Sequence, residues 1–245
     1  MVFSTVMFLV KKEPGIVMLY RKNLFFATSA ECIDIIYRSV YSFPVEEENR
    51  VKQIILNRAL ELFSSKGYEG VSVSELTEAA GITKPTLYYY FGSKIGVFEA
   101  VLKTHYELLN AVITENAVYN PKPRSYHEDI HKTLARLTAS YFSFAQANEA
   151  FFRITLANLS MPRSSAVFEI AGKYHFTQFD IVESMFRSMA KAHGNLRGKG
   201  KSLTWSFIGT VNSYIGLYFS GISGQELNEK SVKELVHQFM HGIYS

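Results

Sequence analysis

The chain has 245 residues, 47% hydrophobic and 20% charged, the composition of an ordinary globular protein of one or two domains. Its single cysteine, Cys32, excludes an internal disulfide and suits a reducing cytoplasm, and no apolar run approaches the ~20 residues that cross a bilayer. A net charge of +4 is compatible with DNA as a partner but too mild to indicate it.

Residues 1–45 form an extension of unknown role, rich in Phe, Val, Ile and Tyr, with a break at Pro14-Gly15 and Pro44 near its end. The apolar opening is followed rather than preceded by basic residues, the wrong order for a signal peptide. Phe25 to Tyr41 fits one helix. A second helix is predicted from about Glu47 to Lys66, with Val51, Ile55, Ala59, Leu62 and Phe63 on one apolar face.

The densest information lies between Ser72 and Lys94. Ser72 and Glu75 form an S-x-x-E capping box, Leu76, Ala79 and Ala80 supply an apolar stripe, and Gly81 provides the left-handed stop. Thr83 then caps a second short helix, Lys84 to Phe91, with Pro85 in its first turn. Two short helices joined by a glycine turn are a helix-turn-helix, which lays its second helix in the DNA major groove. Leu87 and Phe91 are spaced to face the core. Thr86, Tyr88, Tyr89 and Tyr90 cannot all join them, because consecutive residues do not share a helix face. No acidic residue lies between Glu78 and Glu99, whereas Lys84 and Lys94 do, a local field that suits phosphate. The domain as a whole is not basic: Glu46 to Lys103 holds seven Lys/Arg and eight Asp/Glu.

Beyond Ser93 the chain reads as helix throughout. Helices are predicted over Lys94–Asn116, Tyr126–Ala147, Glu149–Leu159, Ser165–His193, Leu203–Ser220 and Glu226–Tyr244, with a breaker at Asn120 to Pro123 and a loop from Gly194 to Lys201. The fold class is therefore all-α: an N-terminal three-helix DNA-binding domain over 46–106, with its helix-turn-helix at about 72–91, and a helical regulatory and dimerisation domain over 107–245. Among the aromatics of the second domain are Phe142, Phe144, Phe151, Phe152, Phe168, Tyr174, Phe176, Phe179, Phe186 and Trp205, most of them read as core. The last two helices form the predicted dimer surface, through Phe207, Val211, Tyr214, Ile215, Tyr218 and Phe219, with Gly209, Ser213 and Gly216 allowing close approach; some of these residues are expected to be buried within the monomer instead. One short reading helix buries too little surface for specific binding, so two half-sites one DNA turn apart are expected.

Two motifs point elsewhere. His127, Glu128 and His131 fit H-E-x-x-H, whose histidines could grip zinc as a metalloprotein or metalloenzyme. The competing reading is a capping box between Ser125 and Glu128 that leaves His127 in the first turn, facing solvent. Gly194 to Ser202 resembles a phosphate-binding loop, but it is one residue too long and no strand precedes it, so a basic interhelix loop is the reading kept. His105, His175, His193, His237 and His241 are scattered with no triad order.

The segment from about Glu48 to Tyr106 resembles the TetR family of bacterial transcriptional regulators. The likeness rests on a first helix ending F-x-x-x-G-Y at Phe63, Gly67 and Tyr68, on the run from Ser72 to Thr83, and on K-x-T-L-Y-x-Y-F-x-S-K from Lys84 to Lys94. It implies DNA contact by Ser72, Ser74, Thr83, Lys84, Pro85, Thr86, Tyr88, Tyr89, Tyr90 and Lys94, with Lys94 on a phosphate. Tyr90 and Ser74 depart from the frequent histidine and arginine, so base preference does not transfer. The resemblance also implies a cytoplasmic homodimer with no cofactor and no enzymatic activity. Such a protein is a repressor whose central cavity takes a small, hydrophobic effector of unknown identity and binding residues. A DNA-binding protein without an effector is the other alternative. Members start shortly before the helix found here near Glu48, so residues 1–45 are either an upstream start chosen in error or an added arm.

Overall fold

The computed structural model describes the backbone of residues 11–12, 16–17, 30–121, 126–158, 161–221 and 224–242, and the side chains of 47–121, 128–158, 161–221 and 224–242. The chain divides into two compact units, Met1–Val51 and Lys52–Ser245. In the first, β1 (Lys11–Lys12) pairs antiparallel with β2 (Ile16–Val17). The helix α1 (Ala30–Lys66) begins there. The two separate helices predicted for this stretch are one element, and Pro44 lies inside it: a proline deletes one main-chain hydrogen bond but does not by itself end a helix.

The described elements of the second unit are all helical, as predicted. They are α2 (Val73–Ala80), α3 (Lys84–Phe91), α4 (Lys94–Asn116), α5 (Tyr126–Ala147), α6 (Glu149–Asn158), α7 (Ala166–Ala192), a 3-10 turn at Gly194–Leu196, α8 (Gly200–Ser220) and α9 (Glu229–His241). The basic loop is shorter than the sequence suggested, because α8 starts at Gly200.

Ile55, Ala59 and Phe63 of α1 are buried, as are Leu76, Leu87, Val97 and Phe98. Phe63, Tyr68 and Phe98 meet as an aromatic trio with ring centroids 5.1–5.8 Å apart. Full burial of a phenylalanine such as Phe98 is worth roughly 1.5–3 kcal/mol, enough to hold helices too short to stand alone. The inward face of α2 differs from the prediction. Ala79 is exposed and Ala80 only half-buried, while Leu76 and Thr77 are buried. Thr77 can sit there because its hydroxyl donates to the carbonyls of Val73 and Ser74, at 3.1 and 2.9 Å.

In the helical body α4 packs on α5 and α7, α7 on α8, and α5 on α9. Polar contacts join α4 to α7 at ascending levels along both helices. The hydroxyl of Tyr174 donates to Glu99 at 3.1 Å. Tyr106 meets His175 at 3.1 Å. Tyr119, just beyond α4, meets His193 at 2.7 Å. The two helices therefore run in the same direction, and α4 connects the reader helices to the far end of the body.

Candidate nucleic-acid interface

The reader begins with a reciprocal cap. Glu75 N–H donates to the Ser72 hydroxyl at 3.2 Å, and Ser72 N–H donates to the Glu75 carboxylate at 2.8 Å. Lys66, at the end of α1, pairs with the same carboxylate at 2.7 Å. The Lys66 ammonium and the Ser72 amide and hydroxyl together hold the Glu75 carboxyl down at about 2. Gly81 then adopts φ 65°, ψ 34° and donates to Glu78 O, while Ile82 N–H reaches Thr77 O at 3.0 Å. These bonds close α2 and turn the chain sharply into α3.

Thr83 caps α3 by accepting from Thr86 N–H, and the two threonine hydroxyls lie 2.9 Å apart. Leu87 is the one fully buried residue of this eight-residue helix. Phe91, predicted as core, is half-buried. On the other face Tyr88 is 47% and Tyr89 77% exposed, beside exposed Lys84 and Pro85. Tyr90 is half-buried, edge-on to Tyr89 at 5.0 Å, with the Lys52 ammonium 5.6 Å from its ring centre. Ser72, Ser74 and Thr83 are exposed, and Thr86 half-buried.

Lys94 also has a structural part. Its ammonium donates to the carbonyls of Tyr68 and Val71, both at 3.0 Å, and lies 4.0 Å from the centre of the Tyr68 ring. Two of its three donors thus fasten the α1–α2 connection to the start of α4, leaving one for a phosphate. Ser93 caps α4 beside it by accepting from Gly96 N–H at 3.1 Å.

Of the H-E-x-x-H side chains, Glu128 and His131 are described. Glu128 is exposed and pairs with Lys132 at 3.4 Å. Buried Asp129, which the sequence reading passed over, accepts from Tyr119 at 2.7 Å and meets His193 at 3.1 Å. His131 is half-buried, and the side chains of Ser125 and His127 lie outside the described residues. Among the described residues no three metal-ligating side chains converge, and no helix is long and apolar enough to cross a membrane.

A small cavity lies between α4, α6, α7 and α8. It has room for little more than one water molecule. At its edge Gln178 donates to His175 Nδ1 at 2.9 Å and accepts from Tyr141 at 3.1 Å. Burial holds the His175 imidazole down at about 4 and pushes the Tyr106 and Tyr141 phenols up.

A short helix clamped by its neighbours, with phenols facing solvent, makes this segment a helix-turn-helix of the kind that enters the DNA major groove. Residues 55–101 match the model for bacterial regulatory proteins of the tetR family. The biofilm operon negative transcriptional regulator IcaR of Staphylococcus aureus is 36% identical over 66 residues, 27% of this chain and 36% of the regulator. The chain therefore spans about a third of that curated relative's length. Two solved structures match far more of it. The transcriptional regulator FadR from Bacillus subtilis, in complex with stearoyl-CoA, has a TM-score of 0.64 at 15% identity, over 78% of this chain and 98% of its own. AibR, in complex with isovaleryl coenzyme A and operator DNA, has a TM-score of 0.58 at 18% identity, over 77% and 97%. At such identities the likeness speaks for the fold.

Proposed function

We propose that this chain is a sequence-specific DNA-binding transcriptional regulator, a homodimeric cytoplasmic repressor released from its operator by a small, largely apolar effector. The observation that carries this reading is the pair Tyr88 and Tyr89, solvent-facing on a helix whose buried side is Leu87, within the segment that matches the family. In this reading residues 46–106 bind DNA and 107–245 bind the effector and the second subunit. Tyr88, Tyr89 and Pro85 meet base edges, joined by Thr86. Lys84, Ser72 and Ser74 meet phosphates. Thr83 and Tyr90 shape the helix, and Lys94 anchors it while offering its remaining donor to the backbone.

The two subunits would pair through α7 and α8 rather than through the last two helices. Phe207, Val211 and Ile215, predicted at the interface, are fully buried within the monomer. Phe176 and Trp205, from an aromatic set read mostly as core, are 57% and 60% exposed, and Leu217 is 44% exposed. Trp205, Gly209, Ser213 and Leu217 follow one another at four-residue steps on α8, whereas α9 turns Glu229, Lys230, Lys233 and Glu234 outward. An apolar strip with small residues suits a close self-pairing face; a charged one suits solvent.

Release follows from differential binding: an effector that prefers a form with altered reader spacing shifts the population away from DNA, with coupling of typically 1–3 kcal/mol. The acyl-CoA complexes of the two structural neighbours support acyl thioesters as the first effectors to try. Footprinting of the DNA upstream of the chain's own gene tests the proposal. Protection of two half-sites about one helical turn apart, relieved by stearoyl-CoA, is the expected result; uniform, sequence-independent protection contradicts it.

A further inference from the structure

The turn between α7 and α8 gathers positive charge that other helices neutralise. On α6 and α9 cations pair with an acid one turn away, Arg153 with Glu149 and Lys233 with Glu229, both at 2.7 Å. No acidic residue lies between Glu183 and Glu226, a stretch that holds Lys191, Arg197, Lys199 and Lys201. All four are exposed. None has a side-chain hydrogen bond or ion pair among the described residues; Lys201 stands 5.7 Å from the centre of the Trp205 ring, where the turn adjoins the strip proposed for self-pairing. Acids packed nearby do not cancel the field. Glu183, whose side chain passes beside Gly200, is taken up by Arg187 at 2.7 Å. Asp129, which reaches His193 at the start of the turn, is buried and bonded to it and to Tyr119.

We propose that this turn is a second DNA-binding surface, which holds the sugar-phosphate backbone of a duplex without reading its sequence. That duplex is not the one on α3. Helix α4 runs 23 residues from Lys94, beside the reader, to Asn116, about 35 Å at 1.5 Å per residue. Just beyond it Tyr119 meets His193, so reader and turn lie at opposite ends of the body. A molecule seated on its operator thus offers cations to a neighbouring segment of DNA and ties the two together. The make-up of the turn favours a duplex over other anionic partners. Protein interfaces are anchored by buried aromatic or aliphatic side chains, and membrane surfaces by apolar side chains inserted among the headgroups. From Lys191 to Ser202 the only large apolar side chain is Leu196, which is half-buried. Cations alone suffice for DNA, where release of condensed counterions supplies the affinity.

The test saturates the full-length protein with unlabelled operator and titrates it into a labelled duplex lacking the operator, following anisotropy at several salt concentrations. Four cations on one subunit predict a slope of log affinity against log salt of about −3.6, a roughly 100-fold fall between about 50 and 200 mM. Arg197→Gln with Lys199→Gln should flatten the slope by about two units. Adding Lys191→Gln and Lys201→Gln should abolish capture, with helix content and operator affinity held at the parent level. Beads carrying operator should likewise retain the labelled duplex with the parent protein and not with the fourfold variant. Equal capture by the two proteins, a matching loss of operator affinity in the variant, or preference for vesicles of phosphatidylcholine and phosphatidylglycerol over the duplex overturns the proposal. Failure of the parent protein to recognise any operator sinks the regulator reading instead. The same salt titration, with Lys84→Ala and Tyr89→Ala silencing α3, then decides the turn alone.

Discussion

Lys84 and Lys94 are both lysines of the same motif, yet their surroundings separate their effects. Lys84 is exposed on the first turn of α3, so Lys84→Ala should weaken binding to all DNA alike and reduce the salt slope by about one unit per subunit. Lys94 fastens two carbonyls of the α1–α2 connection. Lys94→Met should therefore lower the melting temperature, at a cost of about 1–3 kcal/mol for part-buried carbonyls left without a donor. Thermal melts and salt titrations of the two variants distinguish these outcomes. Glu75 gives a pH prediction. Its carboxyl is held at about 2 in the folded protein against an ordinary 4.5. The stability it lends is therefore complete above about pH 4.5 and lost as pH falls toward 2. Glu75→Gln should flatten the acid limb of a pH-dependent melt. The capping box itself was legible, because its partners are three residues apart. The engagement of Lys94 was not, since Tyr68 and Val71 lie on a distant turn and nothing local announces them.

At the scale of elements, the helices α2 to α9 were readable nearly to their ends, because caps, glycine stops and apolar periodicity are local signals. Which side of α8 faces inward was not. Aromatic and β-branched residues occur on both of its sides, so period alone does not choose between Phe207 and Trp205. The pairing of α4 with α7 was equally hidden, since it depends on polar contacts between residues far apart in sequence. That pairing has a measurable consequence. Tyr119 bridges Asp129 and His193, which are both buried. Tyr119→Phe leaves those groups short of one partner and should cost about 1–3 kcal/mol. Chemical denaturation measures it; a midpoint equal to that of the parent protein would mean the contact does not hold α4 to α7.

For the whole molecule, the decisive relation is between the reading helix and its twin. An exposed strip on α7 and α8 is the surface proposed to bring the two together. Trp205→Glu combined with Leu217→Glu should convert the dimer to a monomer in sedimentation equilibrium and weaken operator binding by 100-fold or more, because one half-site alone buries too little surface for specific affinity. The same double substitution should leave the helix content unchanged, since both side chains are exposed. The resemblance carried by the reader segment pointed to a DNA-binding dimer from the sequence. The face it uses became visible only once burial separated core from surface.

The central claim, that exposed phenols on α3 read the operator, is tested most directly by fluorescence anisotropy of a labelled operator with the parent protein and with Tyr89→Ala, alongside a scrambled duplex. Tyr89 is 77% exposed, so its loss should leave folding and dimerisation intact. Loss of roughly 1–3 kcal/mol of base discrimination at each of the two half-sites should lower operator affinity about 30-fold or more while binding to the scrambled duplex stays the same. Equal operator affinity in the two proteins would contradict the account.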